Sequence, residues 1–136
     1  MSNAYASIDL HVSADQVWQL IGGFDSLPDW LPYIPKSALS EGGRIRTLQS
    51  IEGKTIIERL LAFSESERSY TYTILQGPAP VRDYQATLCV LANGHGSKVE
   101  WFGSFTPDGI SEAEAEAMFE EIYKGGLAAL KQTLEG

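Results

Sequence analysis

One stretch near the C-terminus constrains the fold more than any other. From Ser111 to Leu134 no proline interrupts the chain, and Ser111 followed by Glu114 has the spacing of a capping box, so a helix is expected to start there. Met118, Ile122, Gly126, Leu130 and Leu134 recur at every fourth position, with Phe119, Tyr123 and Leu127 beside them, giving a broad apolar face. Glu112, Glu116, Glu120, Glu121, Lys124 and Lys131 occupy the other side. The acidic residues crowd the first half, where the helix dipole favours them. At 1.5 Å per residue such a helix is roughly 35 Å long, enough to cross a small domain. Gly125 and Gly126 stand in its middle, each costing about 1 kcal/mol relative to alanine. Close approach of another backbone, or room for a ligand, is expected to offset that cost. Before the glycines the apolar residues are large and varied; after them Leu127, Ala128, Ala129 and Leu130 suit tight packing.

A chain of 136 residues has the length of one domain around one core, so residues 1–136 are read as a single domain. The net charge of −8 argues against a nucleic-acid partner, because phosphate contacts need clustered Lys and Arg. No apolar run approaches the roughly 18 residues of a membrane span. The N-terminus has neither the basic start nor the apolar core of a secretory signal, so a cytoplasmic location is expected. Cys89 is the only cysteine, which excludes an internal disulfide and a cysteine-rich zinc site.

Ahead of the helix the pattern changes to a period of two. Tyr5 to Val12 alternates, with Ala6, Ile8, Leu10 and Val12 on one side, and reads as a strand. Ser13 caps a short helix that ends at Gly22-Gly23, and a second helical turn is expected within Phe24–Leu31. Six further strands follow: Lys36–Ser40, Arg44–Ser50, Thr55–Phe63, Ser69–Leu75, Arg82–Ala92 and Ser97–Phe105. The turns between them hold Gly42-Gly43, Glu52-Gly53, Ser64–Arg68, Gly77-Pro78-Ala79-Pro80 and Asn93-Gly94-His95-Gly96. Short connections imply an antiparallel meander. Strand, two short helices, six strands and one long helix is the order of an α+β helix-grip fold: a curved seven-stranded antiparallel sheet around a C-terminal helix. A curved sheet cannot touch a straight helix along its whole length, so a gap is expected at one end.

Two strands declare which side chains face that gap. Tyr70, Tyr72 and Ile74 alternate with Ser69, Thr71 and Thr73, and Tyr84, Ala86, Leu88 and Val90 alternate with Asp83, Gln85, Thr87 and Cys89. The strands Thr55–Phe63 and Ser97–Phe105 are ambiguous, because both of their faces carry apolar residues. One choice for the latter turns Glu100, Phe102 and Ser104 inward, the other Val99, Trp101, Gly103 and Phe105.

The run Glu58-Arg59-Leu60, then Arg68, Tyr72, Ile74, Pro78-Ala79-Pro80-Val81, Asp83-Tyr84, Ala86 and Val99-Glu100-Trp101 resembles the polyketide cyclase/dehydrase-like proteins. So does the segment from Val17-Trp18 through Trp30 and Pro32. That group is placed with the START domains, the birch-pollen-allergen-like proteins and the plant abscisic acid receptors in the SRPBCC superfamily. The resemblance spans nearly the whole chain through diffuse motifs. From the receptors it implies that Glu58, Tyr84 and Glu100 face a cavity together with Tyr72, Ile74 and Ala86, and that the helix contributes Met118, Ile122 and Gly126. The receptors' gating loop shrinks here to Ser50-Ile51-Glu52-Gly53, and Pro32 falls near the place of their carboxylate-binding lysine, so hormone binding is not implied.

Glu58 and Glu100 are the sharpest chemical candidates. Two carboxylates in an apolar cavity raise each other's pKa, which suits acid–base work on an enolisable carbonyl. Structural ion pairs with Arg46 or Arg59 are the alternative. Trp30, Tyr33 and the two-proline turn are candidates for the cavity mouth, and Arg46, Val81 and Phe102 for further ligand contacts. No cofactor and no metal are expected: no phosphate-binding glycine loop follows a strand, and no His/Cys/acidic spacing reads as a metal site. The leading expectation is therefore binding of a small apolar or amphipathic molecule. A cyclase or dehydratase using Glu58 or Glu100 is the second. The third is an interaction module with a vestigial cavity, its exposed Trp101 face or an edge strand making a dimer. The chain is expected to be a monomer or a homodimer.

Overall fold

The computed structural model describes residues 1–136. The first strand, β1 (Ser2–Leu10), starts earlier and stops sooner than its alternation suggests. Ser2 and Asn3 already pair with Phe105 and Ser104, while beyond Leu10 the carbonyl of Val12 accepts from the Ser97 hydroxyl instead of a ladder partner. Helix α1 (Ala14–Ile21) is capped by the Ser13 side chain, which accepts from the Gln16 amide, and it buries Ala14, Val17, Trp18 and Ile21. It stops at Gly22, where a Cβ would lie 2.6 Å from the Trp18 ring. Helix α2 (Leu27–Trp30) buries Leu27 and Trp30. The remaining elements are β2 (Lys36–Ser40), a 3-10 turn at Glu41–Gly43, β3 (Ile45–Gln49), β4 (Thr55–Ser64), β5 (Ser69–Gln76), β6 (Val81–Asn93), β7 (Gly96–Pro107) and α3 (Glu112–Glu135).

The seven strands form one antiparallel sheet in the order β1-β7-β6-β5-β4-β3-β2. Bulges bend it. Register shifts fall in β4 between Ile57 and Glu58 and between Leu60 and Ala62, and in β6 between Arg82 and Gln85, where Asp83 takes a φ of 53°. A bulge kinks its strand and strengthens the local twist. The bent sheet wraps α3, which makes this a helix-grip fold. The helix lies against β1 and β7, so the opposite half of the sheet, β3 to β5, curves away from it. Twenty-seven buried hydrophobic residues form one cluster between sheet and helices. No helix is long and apolar enough to cross a membrane.

Two expectations about faces are corrected. The buried line of α3 is Ala115, Phe119, Tyr123, Gly126, Leu127 and Leu130, rotated from the stripe centred on Met118 and Ile122. Ring packing sets that rotation, because Phe119 lies 4.9 Å from Tyr84 and 4.8 Å from Phe105, and Tyr123 lies 4.8 Å from Trp101. Met118 is half-buried and Ile122 is 42% exposed at the edge of the gap. On β7 the inner face is Val99, Trp101, Gly103 and Phe105. Trp101 is buried, so no exposed Trp101 face exists for a partner.

Candidate functional site

Where the sheet leaves α3 a cavity of about 270 Å³ remains. Its walls come from the inner faces of β3 to β7, from Leu27, Leu31, Tyr33 and Ile34 around α2, from the Gly77–Pro80 turn, and from Met118, Phe119, Ile122 and Tyr123 of α3. Fifteen of its 21 lining residues are hydrophobic, so the few polar groups decide what it recognises.

Those polar groups form two connected sets. In the first, Arg46 on β3 faces Glu58 on β4 across a paired position of the ladder. The Arg46 Nε–H donates to Glu58 Oε1 at 2.8 Å, and Nη2 lies 2.7 Å from the same oxygen. Nη1 donates to the Phe24 carbonyl and to the Tyr70 hydroxyl. The guanidinium carbon lies 4.1 Å from the centre of the Phe24 ring, with Tyr72 and Tyr70 at 4.9 and 5.5 Å, so the cation sits in an aromatic cage. Burial works against the charge of Arg46, but the electrostatic effects of Tyr70, Glu58 and Tyr72 outweigh it and keep the guanidinium protonated. Burial likewise pushes the Glu58 carboxyl above its ordinary value, and Arg46 opposes that rise. The contact geometry is that of an ion pair. Glu58 Oε2 takes no part in it.

The second set is a line of phenols. Trp101 Nε1–H donates to the Tyr72 hydroxyl at 3.1 Å; Tyr72 and Tyr84 share a hydrogen bond of 3.4 Å, and Tyr84 and Tyr123 one of 2.5 Å. Burial raises the pKa of all three phenols, so they remain hydroxyls. Tyr123 reaches this line only because β7 has glycine opposite it: a Cβ at Gly103 would lie 2.5 Å from the Tyr123 oxygen. No three His, Cys, Asp or Glu side chains converge as a metal site would require.

Residues 1–135 match the family described as polyketide cyclase/dehydrase and lipid transport. The chain belongs to that family. Among solved structures, the protein XoxI from Bacillus cereus is 50% identical, with a TM-score of 0.97 over 99% of this chain and 96% of that one. A Bacillus thuringiensis protein is 48% identical at the same TM-score, over 99% and 100% of the two chains. A START superfamily protein from Mycobacterium smegmatis shares the fold at 15% identity, with a TM-score of 0.82 over 99% and 98%. No curated protein matches the sequence. The family's description covers cyclases, dehydrases and lipid carriers alike, so the reading of this member rests on its own cavity.

Arg46, Glu58, Tyr72, Ile74, Tyr84, Met118, Ile122 and Tyr33 line that cavity. The other candidates lie elsewhere. Glu100 is on the outer face of the sheet, where it accepts from the Tyr5 hydroxyl at 2.5 Å and from the Cys89 thiol. Glu100 pairs with Cys89 across the ladder, and directly paired residues share a face. Burial and Glu100 together push that thiol up to about 11. Phe102 is on the same outer face, stacked on Tyr5 at 6.3 Å. Gly126 lies beneath Trp101 rather than in open space: a Cβ there would come within 2.7 Å of Trp101 Cζ3. Trp30 is buried edge-on to Trp101, its Nε1–H without a partner, and is no part of the mouth. Ala86 and Val81 flank the cavity without lining it; Ala86 lies in the wall against Gly103. Trp101, Phe119, Tyr123, Leu48, Ile56 and Lys54 line it and were not singled out. The alternative register of Ser97–Phe105 was the available signal for Trp101; nothing in the local pattern marks Lys54.

Proposed function

We propose that this protein binds one small, largely apolar molecule carrying a polar group, in the cavity between α3 and β3–β7. The observation that carries this reading is the segregation within the cavity: hydrophobic walls, with polarity gathered in the Arg46–Glu58 pair and the Tyr72–Tyr84–Tyr123 line. Such a division is typical of small-molecule sites, although about 270 Å³ is just below their common range of roughly 300–1,000 Å³. An acid–base enzyme built on two cavity carboxylates loses its second member, because Glu100 faces outward. Its first member is engaged by Arg46, which makes it a polar anchor more readily than a free base. A vestigial cavity would be filled by side chains; this one keeps about 270 Å³ of space, with the exposed Tyr33, Pro78 and Ile122 among its lining residues.

The test uses naphthalene as a minimal apolar probe. Amide and methyl shifts on titration are expected to cluster at Ile74, Met118 and Ile122. They are expected to vanish in Met118→Trp, which fills the space from a half-buried position and leaves the core cluster intact. Shifts confined to the outer face around Tyr5 and Phe102, or unchanged by the substitution, would remove the binding reading.

A further inference from the structure

We propose that the cavity selects a neutral ligand bearing a hydroxyl group and rejects carboxylates. In this arrangement Glu58 Oε2 accepts the ligand's hydroxyl proton, and a tyrosine hydroxyl donates to its oxygen. The inference rests on the binding reading above and adds the chemical class of the ligand.

The first argument is a count of protons. Tyr72, Tyr84 and Tyr123 contribute one hydroxyl proton each, and two hydrogen bonds join them in a row. Trp101 adds a donor to the Tyr72 end, not an acceptor. Two links use two protons in every possible orientation of the row, so one O–H is left over. None of the three hydroxyls bonds an acceptor outside the row. All three residues line the cavity, so the surplus donor is offered there.

The second argument is the matching acceptor. Both close Arg46 contacts fall on Glu58 Oε1, and Oε2 has no partner. Glu58 is only 7% exposed and lines the cavity, so its free oxygen can be satisfied only from inside it. Oε2 is not among the sealed, partnerless atoms of the interior, so it opens to the cavity, where a ligand hydroxyl can take the place of the solvent that would otherwise meet it. Glu58 pairs with Ile74 and Leu60 pairs with Tyr72, so Glu58 and Tyr72 are diagonal neighbours on one face. Such neighbours sit about 7–8 Å apart, within reach of one bridging group between their side chains. A hydroxyl, which donates once and accepts twice, complements this pair.

The third argument excludes anions. The only buried cation of the cavity, Arg46, is already committed to Glu58, the Phe24 carbonyl and Tyr70. A ligand carboxylate would place its charge against Glu58 Oε2 with no free cation in the floor to compensate. Lys54 lines the cavity but is exposed.

Three probes with one ring system separate the possibilities: 2-naphthol, 2-naphthoate and naphthalene, titrated calorimetrically into the full chain. The measurement is made at about pH 8, above the ordinary carboxylate range and below that of phenols. The expected result is that 2-naphthol binds roughly tenfold or more tightly than either other probe, the change associated with a hydrogen bond to a charged group. In Glu58→Gln the advantage over 2-naphthoate is expected to fall to within about threefold, since an amide donor meets the carboxylate there. Tyr84→Phe retains Glu58 and both end hydroxyls and is expected still to reject 2-naphthoate, which provides a test should Glu58→Gln fail to fold. Equal binding of 2-naphthoate and 2-naphthol by the wild-type protein would overturn the inference and point to capture by Lys54. Equal binding of naphthalene and 2-naphthol would overturn it while leaving the apolar cavity as a binding site. Failure of all three to bind would overturn the binding reading itself.

Discussion

Gly125 and Gly126 stand side by side in α3 and answer to different constraints. A Cβ at Gly126 would lie 2.7 Å from Trp101 Cζ3 and 3.0 Å from Leu31 Cδ1, both in the buried core. Nothing lies within 4 Å of a Cβ at Gly125, which is exposed. Gly126→Leu is therefore expected to destabilise the protein by about 1–3 kcal/mol through overpacking. Gly125→Ala is expected to stabilise it by nearly 1 kcal/mol through helix propensity alone. Urea unfolding of the two variants measures both, and a neutral Gly126→Leu would show that Trp101 can move aside. The glycine pair was legible as an anomaly in the sequence, but its meaning was not. Adjacent helical residues point about 100° apart, and only the packed structure says which of the two meets the sheet. Glu58 and Glu100 teach the same lesson in strands. Each lies in a segment with apolar residues on both faces, and the choice between faces came from the ladder partner, Arg46 for one and Cys89 for the other.

The elements themselves were far more legible than their faces. Caps and turns are local chemistry, so the order of two short helices, seven strands and one long helix follows from Ser13, Gly22, the glycine turns and Ser111. The start of α3 shows why such signals are strong. The Ser111 hydroxyl accepts from the Glu114 amide and the Glu114 carboxylate accepts from the Ser111 amide, both at 3.1 Å. These bonds hold the Glu114 carboxyl below its ordinary value, with the backbone amide of Ser111 the larger cause. A depressed carboxyl stabilises the fold above the ordinary carboxylate range and loses that contribution as pH falls through its folded value. Ser111→Ala is expected to cost about 1 kcal/mol in urea unfolding at neutral pH. In the same variant the Glu114 side-chain carboxyl, followed by NMR, is expected to titrate closer to its ordinary value. The amide of residue 111 survives the substitution, so only part of the shift is expected to go; an unfolding free energy unchanged by Ser111→Ala would mean that the cap does not hold the helix start. The bulges in β4 and β6 left no comparable mark in the sequence, and they bend the sheet that makes the cavity.

For the molecule as a whole, the Arg46–Glu58 pair sets stability against recognition. Desolvating two charges costs several kcal/mol per ion, and replacing a buried pair with apolar residues is often neutral or stabilising, whereas removing one partner typically costs about 3–5 kcal/mol. Here the cation is caged by Phe24, Tyr70 and Tyr72, so a methionine in its place keeps soft contacts with the same rings. Arg46→Met alone is expected to cost about 3–5 kcal/mol, because Glu58 is left buried without its partner. The cost should shrink at low pH, where the orphaned carboxyl neutralises. Adding Glu58→Leu is expected to recover most of the loss. The pH dependence supplies an independent check. Burial raises the Glu58 pKa, so its contribution favours the wild-type fold below the ordinary carboxylate range and is lost as pH rises through the raised value. The double variant lacks that group, and its stability relative to wild type should therefore increase over a pH range that begins at the ordinary carboxylate value, about pH 4. Urea unfolding of wild type, Arg46→Met and the double variant across that range measures each step. If the double variant stays as unstable as the single one, the pair is needed for the fold and cannot be there chiefly for a ligand. If it recovers, binds naphthalene and no longer prefers 2-naphthol, the two charges are held in the core for what they recognise.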